Sequence, residues 1–136
     1  MMKVIAYNIR VSEKEHLAKA NQKKHDITLI SDPLSIDTIG YAEGKDAAII
    51  DANDDLSAPI LALLAQKGIR FVTTRSSDTG NIDIAAAQMN HIKLANVAGL
   101  TNLPDIALQT ITNLDNWQHK KCVGNTCVCA RMCQRS

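Results

Sequence analysis

Residues 75 to 81 read RSSDTGN, which places two adjacent hydroxyls, a carboxylate, a glycine and a run of backbone N–H groups in one short stretch. After a strand, such a loop can cradle a carboxylate or phosphate through its main-chain donors. The same residues also make an ordinary polar turn, since Ser, Asp, Asn and Gly each favour bends for local reasons. A second loaded stretch is DANDD, Asp51 to Asp55, with three carboxylates after an apolar run. Acids clustered at a strand end can hold Mg²⁺. The plainer reading is a solvated loop whose charges sit near the N-terminus of the next helix, where its dipole favours them.

The remaining chemistry-bearing residues say less, or exclude more. Cys122, Cys127, Cys129 and Cys133 are spaced C-x₄-C-x-C-x₃-C in the last fifteen residues. Four thiolates so close could bind Zn²⁺ or an iron–sulfur cluster, although the paired C-x₂-C knuckles of a strong zinc motif are absent. The other reading is a loose, oxidation-prone terminus. His16, His25, His91 and His119 fall on a helix, at the openings of two strands and in the tail. None is expected in a strand-end loop, so no Ser-His-Asp or Cys-His arrangement follows from their positions. Gly40, Gly44, Gly68, Gly80, Gly99 and Gly124 never approach G-x-G-x-x-G or a Walker A loop, so a dinucleotide finds no recognisable cradle.

These residues must be positioned by alternating elements. Strands are expected over Lys3–Asn8, His25–Ile30, Asp46–Ile50, Ile69–Thr73 and Ile92–Val97. The DAAII run is the uninterrupted apolar type found in the middle of a parallel sheet. Between the strands come helices: one capped by the S-x-x-E box of Ser12 and Glu15, and a weak one over Ile36–Ala42. Two more are expected, over Ile60–Lys67 after Ser57 and Pro59 and over Ile82–Met89. Strand–helix alternation about every twenty residues builds right-handed βαβ units. The expected fold is therefore a flavodoxin-like α/β/α layering with a five-stranded parallel sheet in the order 2-1-3-4-5.

Bulk properties fit one domain of 136 residues with 46% apolar and 21% charged residues and a formal net charge of +1. Basic residues are scattered, so neither nucleic acid nor a membrane is expected as a partner. No cysteine is placed to staple the main body, which points to a reducing, cytoplasmic setting.

Several blocks in order resemble the substrate-binding (catalytic) domain of the D-isomer-specific 2-hydroxyacid dehydrogenases, closest to the D-lactate dehydrogenase branch. They are MKVIAYNIRVSEKEHL, AEGKDAAII with NDD, PILALLAQKGIRFVTTRS and RSSDTGNIDIAAAQMNHIKLANV, followed by LTNLPDIALQTITNLDNW. The resemblance implies NADH-dependent reduction of a 2-oxo acid in the parent, with the substrate carboxylate held by backbone N–H groups of Ser76, Ser77 and Asp78. The family usually has Gly where Asp78 stands, so that carboxylate must point away if an anion is to bind.

The resemblance also implies a seam. NVAGLTNLPD, residues 96 to 105, joins a strand block to what resembles the family's final helix. No stretch between them carries a nucleotide domain, its G-x-G-x-x-G, or the Arg, Glu and His of the family's chemistry. The expectation is one domain over 1–118, with 2–97 joined through 98–99 to a closing helix over 100–118, and a Cys-rich tail over 119–136. An engineered deletion, no NAD bound, no catalytic residues and no turnover follow, with at most weak binding of a small 2-oxo or 2-hydroxy acid. Apolar surface bared by a missing companion favours a homodimer. The alternative function is a small flavodoxin- or receiver-like binding or regulatory module using the Asp51–Asp55 loop.

Overall fold

The computed structural model describes residues 2–97 and 99–118. Five parallel strands, β1 (Lys3–Ala6), β2 (Asp26–Leu29), β3 (Ala47–Ile50), β4 (Phe71–Thr74) and β5 (Lys93–Ala95), form one sheet in the order β2-β1-β3-β4-β5. The expected order and layering are thus present. β3 lies in the middle with all four residues buried, as its unbroken AAII demands. β2, at one edge, is only half covered.

Four α-helices cover the two faces: α1 (Val11–Asn21), α2 (Ala58–Gln66), α3 (Ile84–Met89) and α4 (Leu103–Gln118). Strand alternation sends Ile5, Tyr7, Ala48, Ile50, Val72 and Leu94 toward α2 and α3, where Ile60, Leu61, Leu64 and Ala87 meet them. Val4, Ala6, Ala47, Ile49 and Ala95 point the other way, against Leu17 of α1 and Ala107, Ile111, Leu114 and Trp117 of α4. Those α4 positions recur every three or four residues, so one apolar stripe suffices to dock the helix. Trp117 stacks on Phe71 with ring centroids 5.1 Å apart.

Several boundaries differ from the sequence expectation, each for a local reason. α1 is entered at Arg10, not at the Ser12 box: Glu13 Oε1 accepts the Arg10 N–H at 3.2 Å, and Ser12 lies inside the first turn. The weak helix over 36–42 shrinks to a 3₁₀ turn at Ile39–Ala42, because Thr38 Oγ1 accepts the Ser35 N–H and donates to Pro33 O instead. α3 starts two residues late, since Ile82 pairs with Leu56 in a β-bridge and Asp83 caps the helix by accepting the Ala86 N–H at 3.0 Å. α2 begins at Ala58 behind Ser57 and ends before Gly68, whose φ of +104° only glycine adopts freely.

Candidate functional site

In an open parallel sheet the strand order reverses between β1 and β3, and ligands favour the carboxyl edge near that reversal. Here that edge is occupied by Arg75, which follows β4 directly. Its Nη1 and Nη2 donate to the carbonyls of Tyr7 and Asn8 at 2.9 and 2.8 Å. Its Nε lies 2.7 Å from Glu13 Oε2 as an ion pair. Each nitrogen of the guanidinium thus has one partner within the chain, and the side chain is turned inward.

His16, on α1 as the sequence suggests and not in a strand-end loop, lines the same depression as Glu13 and Arg75. α4 closes over it through Leu103 and Ile106, leaving a space of only about 10 Å³. That is room for one water at most. The trio is a packed joint, and no substrate fits between its members.

The acidic DANDD stretch is not wholly solvated. Asp54 is 2% exposed. Its two oxygens accept the N–H groups of Leu34 at 3.0 Å and Asp51 at 2.7 Å, stapling the loop after β3 to the loop after β2. Burial pushes its carboxyl above the ordinary value, while the two N–H donors and Arg75 pull it back in part. Asp55 turns to the Ser57 N–H at 2.9 Å. Among the described residues no three His, Cys, Asp or Glu side chains converge as metal ligands. The phenol of Tyr7 packs nearby and donates to Thr38 O at 2.9 Å; burial, then Asp54 and Tyr41, push it to about 12.

The β4–α3 loop holds Ser76, Ser77 and Asp78 at the carboxyl edge, where the sequence placed them. Ser76 is half-buried; Ser77 and Asp78 are exposed. The Ser76 N–H donates to Thr74 Oγ1 at 3.2 Å and the Asp78 N–H to Ser76 Oγ at 3.0 Å. Among the described residues nothing accepts from the Ser77 N–H. Asp78 folds back on its own loop, its Oδ1 accepting the Gly80 N–H at 2.8 Å. A Cβ at Gly80 would meet that oxygen at 3.1 Å, so glycine permits the close approach. Asn81 then anchors the loop, its Nδ2 donating to Asp51 O and Asp54 O at 3.1 and 2.9 Å. On the α4 side, the Val97 N–H donates to Ser76 O at 3.2 Å.

A His–Asp pair is present, but at the opposite edge. His25 Nε2 lies 2.7 Å from Asp115 Oδ1 and its Nδ1 accepts the Met2 N–H at 3.4 Å, which fixes the proton on Nε2. The His25 side chain is 1% exposed and joins the start of β2 to the end of α4. Its geometry is that of a buried clamp. Sequence reasoning had no signal for it, nor for the Arg75–Glu13 pair.

The cysteine tail, His119 and Ala98 lie outside the described residues. No helix among the described residues is long and apolar enough to cross a membrane.

Residues 4–107 match the family of the D-isomer specific 2-hydroxyacid dehydrogenase catalytic domain. A D-lactate dehydrogenase of Leuconostoc mesenteroides subsp. cremoris is 33% identical over 98 residues, taking in 71% of this chain and 30% of the relative. The 2-hydroxyacid dehydrogenase A of Aspergillus oryzae is 27% identical over 125 residues, 88% of this chain and 36% of the relative. The apo-structure of D-lactate dehydrogenase from Escherichia coli superposes with a TM-score of 0.71 at 27% identity, over 74% of this chain and 32% of that one. The chain therefore spans about a third of the length of these relatives. The Aspergillus alignment has 125 positions and includes 88% of 136 residues, about 120, so it must cross from β5 into α4 with only a handful of inserted residues.

Proposed function

The chain belongs to the D-isomer specific 2-hydroxyacid dehydrogenases through their catalytic domain, and we propose that it is the substrate-holding part of such an enzyme. The ligand is a small 2-oxo or 2-hydroxy acid, seated by its carboxylate on the backbone N–H groups of Ser76, Ser77 and Asp78. One observation carries this reading. The loop is pinned at both ends by Arg75 and Asn81 while Ser77 stays exposed with its N–H uncommitted among the described residues. The Asp78 carboxylate is turned onto Gly80, which draws it back toward its own loop and reduces its repulsion of an anion. The Ser76 and Asp78 N–H groups have weak internal acceptors, and a carboxylate would have to displace them.

We assign no dinucleotide to the strand reversal. The space at the strand reversal is taken up by the Arg75 guanidinium, and the depression beside it holds about 10 Å³. We therefore assign no hydride-transfer step to this chain and propose that it is inactive alone. Reduction of the 2-oxo acid with NADH belongs to a full-length parent. A homodimer and a cytoplasmic setting remain part of the proposal, on the grounds of bared apolar surface and cysteine placement.

The seam has two readings. The sequence suggests an engineered excision at 98–99, whereas the Aspergillus alignment, with only a handful of inserted residues, favours direct passage from β5 into α4. Packing supports direct passage too: α4 folds back over α1 and the sheet as a crossover helix after the last strand would. We favour it.

The test is a ¹⁵N titration with oxamate and pyruvate, alongside an NADH absorbance assay. Shifts confined to residues 76–78 and 97, without NADH oxidation, are expected. Saturable shifts elsewhere with none in this loop would remove the substrate reading; steady NADH consumption would remove the inactivity.

A further inference from the structure

At the amino ends of β4 and β5, opposite the edge described above, a cleft of about 450 Å³ opens between the turn before β4 and the turn before β5. Its wall runs from Gly68 to Phe71 on one side and through Asn90, His91 and Lys93 on the other. Arg70 and Lys93 carry charge, His91 can take one, and no Asp or Glu lines the space. Arg70 and His91 are exposed and Lys93 half-buried. The Lys93 ammonium stands 6.0 Å from the centre of the Phe71 ring.

The backbones that carry the two cations are fixed side by side. The Lys93 N–H donates to Arg70 O at 2.8 Å, and the Arg70 N–H donates to Asp46 O at 2.9 Å, so both residues open adjacent strands of one rigid ladder. Neither makes an ion pair among the described residues, unlike Lys19, Lys24, Lys67 and Arg75. The carboxylate at the start of neighbouring β3, Asp46, is committed elsewhere: its Oδ2 accepts the Lys3 N–H at 3.0 Å. His91 sits in a left-handed turn at φ 59°, which sets the third basic group at the mouth of the same cleft.

We propose that this cleft is a second ligand site, separate from the carboxylate loop, for a phosphorylated small molecule. A guanidinium offers a flat fork to phosphate oxygens and an ammonium adds a point charge, the pairing that phosphate monoesters use. The volume exceeds what a bare phosphate needs and lies in the range of small-molecule sites. Ile69 and Phe71 supply an apolar wall for the organic part. The reading is independent of the function proposed above.

Ribose 5-phosphate, with ribose as the uncharged control, tests it by calorimetry and ¹⁵N shifts on the whole chain. Saturable binding of the phosphate ester is expected, with shifts at residues 68–71 and 90–93. Combined Arg70→Gln and Lys93→Gln should weaken it about tenfold or more, the loss of a charge-assisted contact. Lys45→Gln should leave it unchanged, and each single substitution should give a partial loss that reads out even if the double variant folds poorly. Absence of saturable binding, equal binding of ribose, or wild-type affinity in both single variants overturns the proposal.

Discussion

Arg75 Nε stands 2.7 Å from Glu13 Oε2, while the same guanidinium donates to the carbonyls of Tyr7 and Asn8. One side chain thereby ties the end of β4 to the end of β1 and to the first turn of α1. The Arg75 side chain is 3% exposed and that of Glu13 13%, so little solvent screens the pair. Arg75→Met would strand a buried carboxylate and two carbonyls, and should cost about 3 kcal/mol or more. Urea unfolding measures it. A loss below 1 kcal/mol (about the worth of an exposed pair) would mean the joint is not closed to water.

Asp54 should give stability a pH slope of defined sign. Burial raises its carboxyl above the ordinary 3.8, so the folded state holds the proton more tightly than the unfolded chain. Stability from this group is full below the ordinary value and is lost as pH rises through the raised one. Asp54→Asn should remove that part of the slope, read as the urea midpoint followed through the acid range. Asp54→Ala should cost about 2 kcal/mol at neutral pH by orphaning the Leu34 and Asp51 N–H groups.

Asp115→Ala removes the acceptor of the His25 Nε2–H and should loosen the end of α4 by about 1–2 kcal/mol. The single tryptophan, Trp117, lies two residues on and is 3% exposed, so its fluorescence reports the change. A red shift at moderate urea, before the global transition, is the expected result. An unchanged profile would show that apolar packing alone holds the helix.

Asp78→Gly should tighten carboxylate binding at the β4–α3 loop several-fold, since a partly screened charge near an anion is worth about 1 kcal/mol. Oxamate titration compares the two proteins. Weaker binding in the variant would show that the Asx-type turn onto Gly80, not the charge, decides the loop's shape.

The sheet order and the two helical layers were legible because strand-type runs and helical spacing each follow from which face is buried. AAII is the clearest case: four consecutive buried residues need a central strand. Helix ends were less legible. Ser12 and Glu15 fit a capping box by spacing, yet Glu13 takes the cap because its second oxygen is already drawn to Arg75. The family resemblance proposes Ser76, Ser77 and Asp78, and loop composition alone marks only the RSSDTGN stretch around them. In the sequence Arg75 is one more polar residue of that loop. Its role depends on β1 lying near β4 and on two carbonyls 67 and 68 residues away, for which no local pattern exists. His25 and Asp115, 90 residues apart, escaped for the same reason.

Asn113 is the one amide in the middle of the stripe that α4 lays on the sheet, fully buried and donating to both Thr73 Oγ1 and Asn96 O at 3.2 Å. Leucine there would keep the grease and lose the address. With Asn113 in place, sliding the helix by one turn leaves two buried acceptors without their donor, a cost added to the apolar mismatch along the stripe. The last helix is therefore pegged in a single register, and because Asn96 precedes the chain's turn toward α4, the same peg fixes where that turn begins.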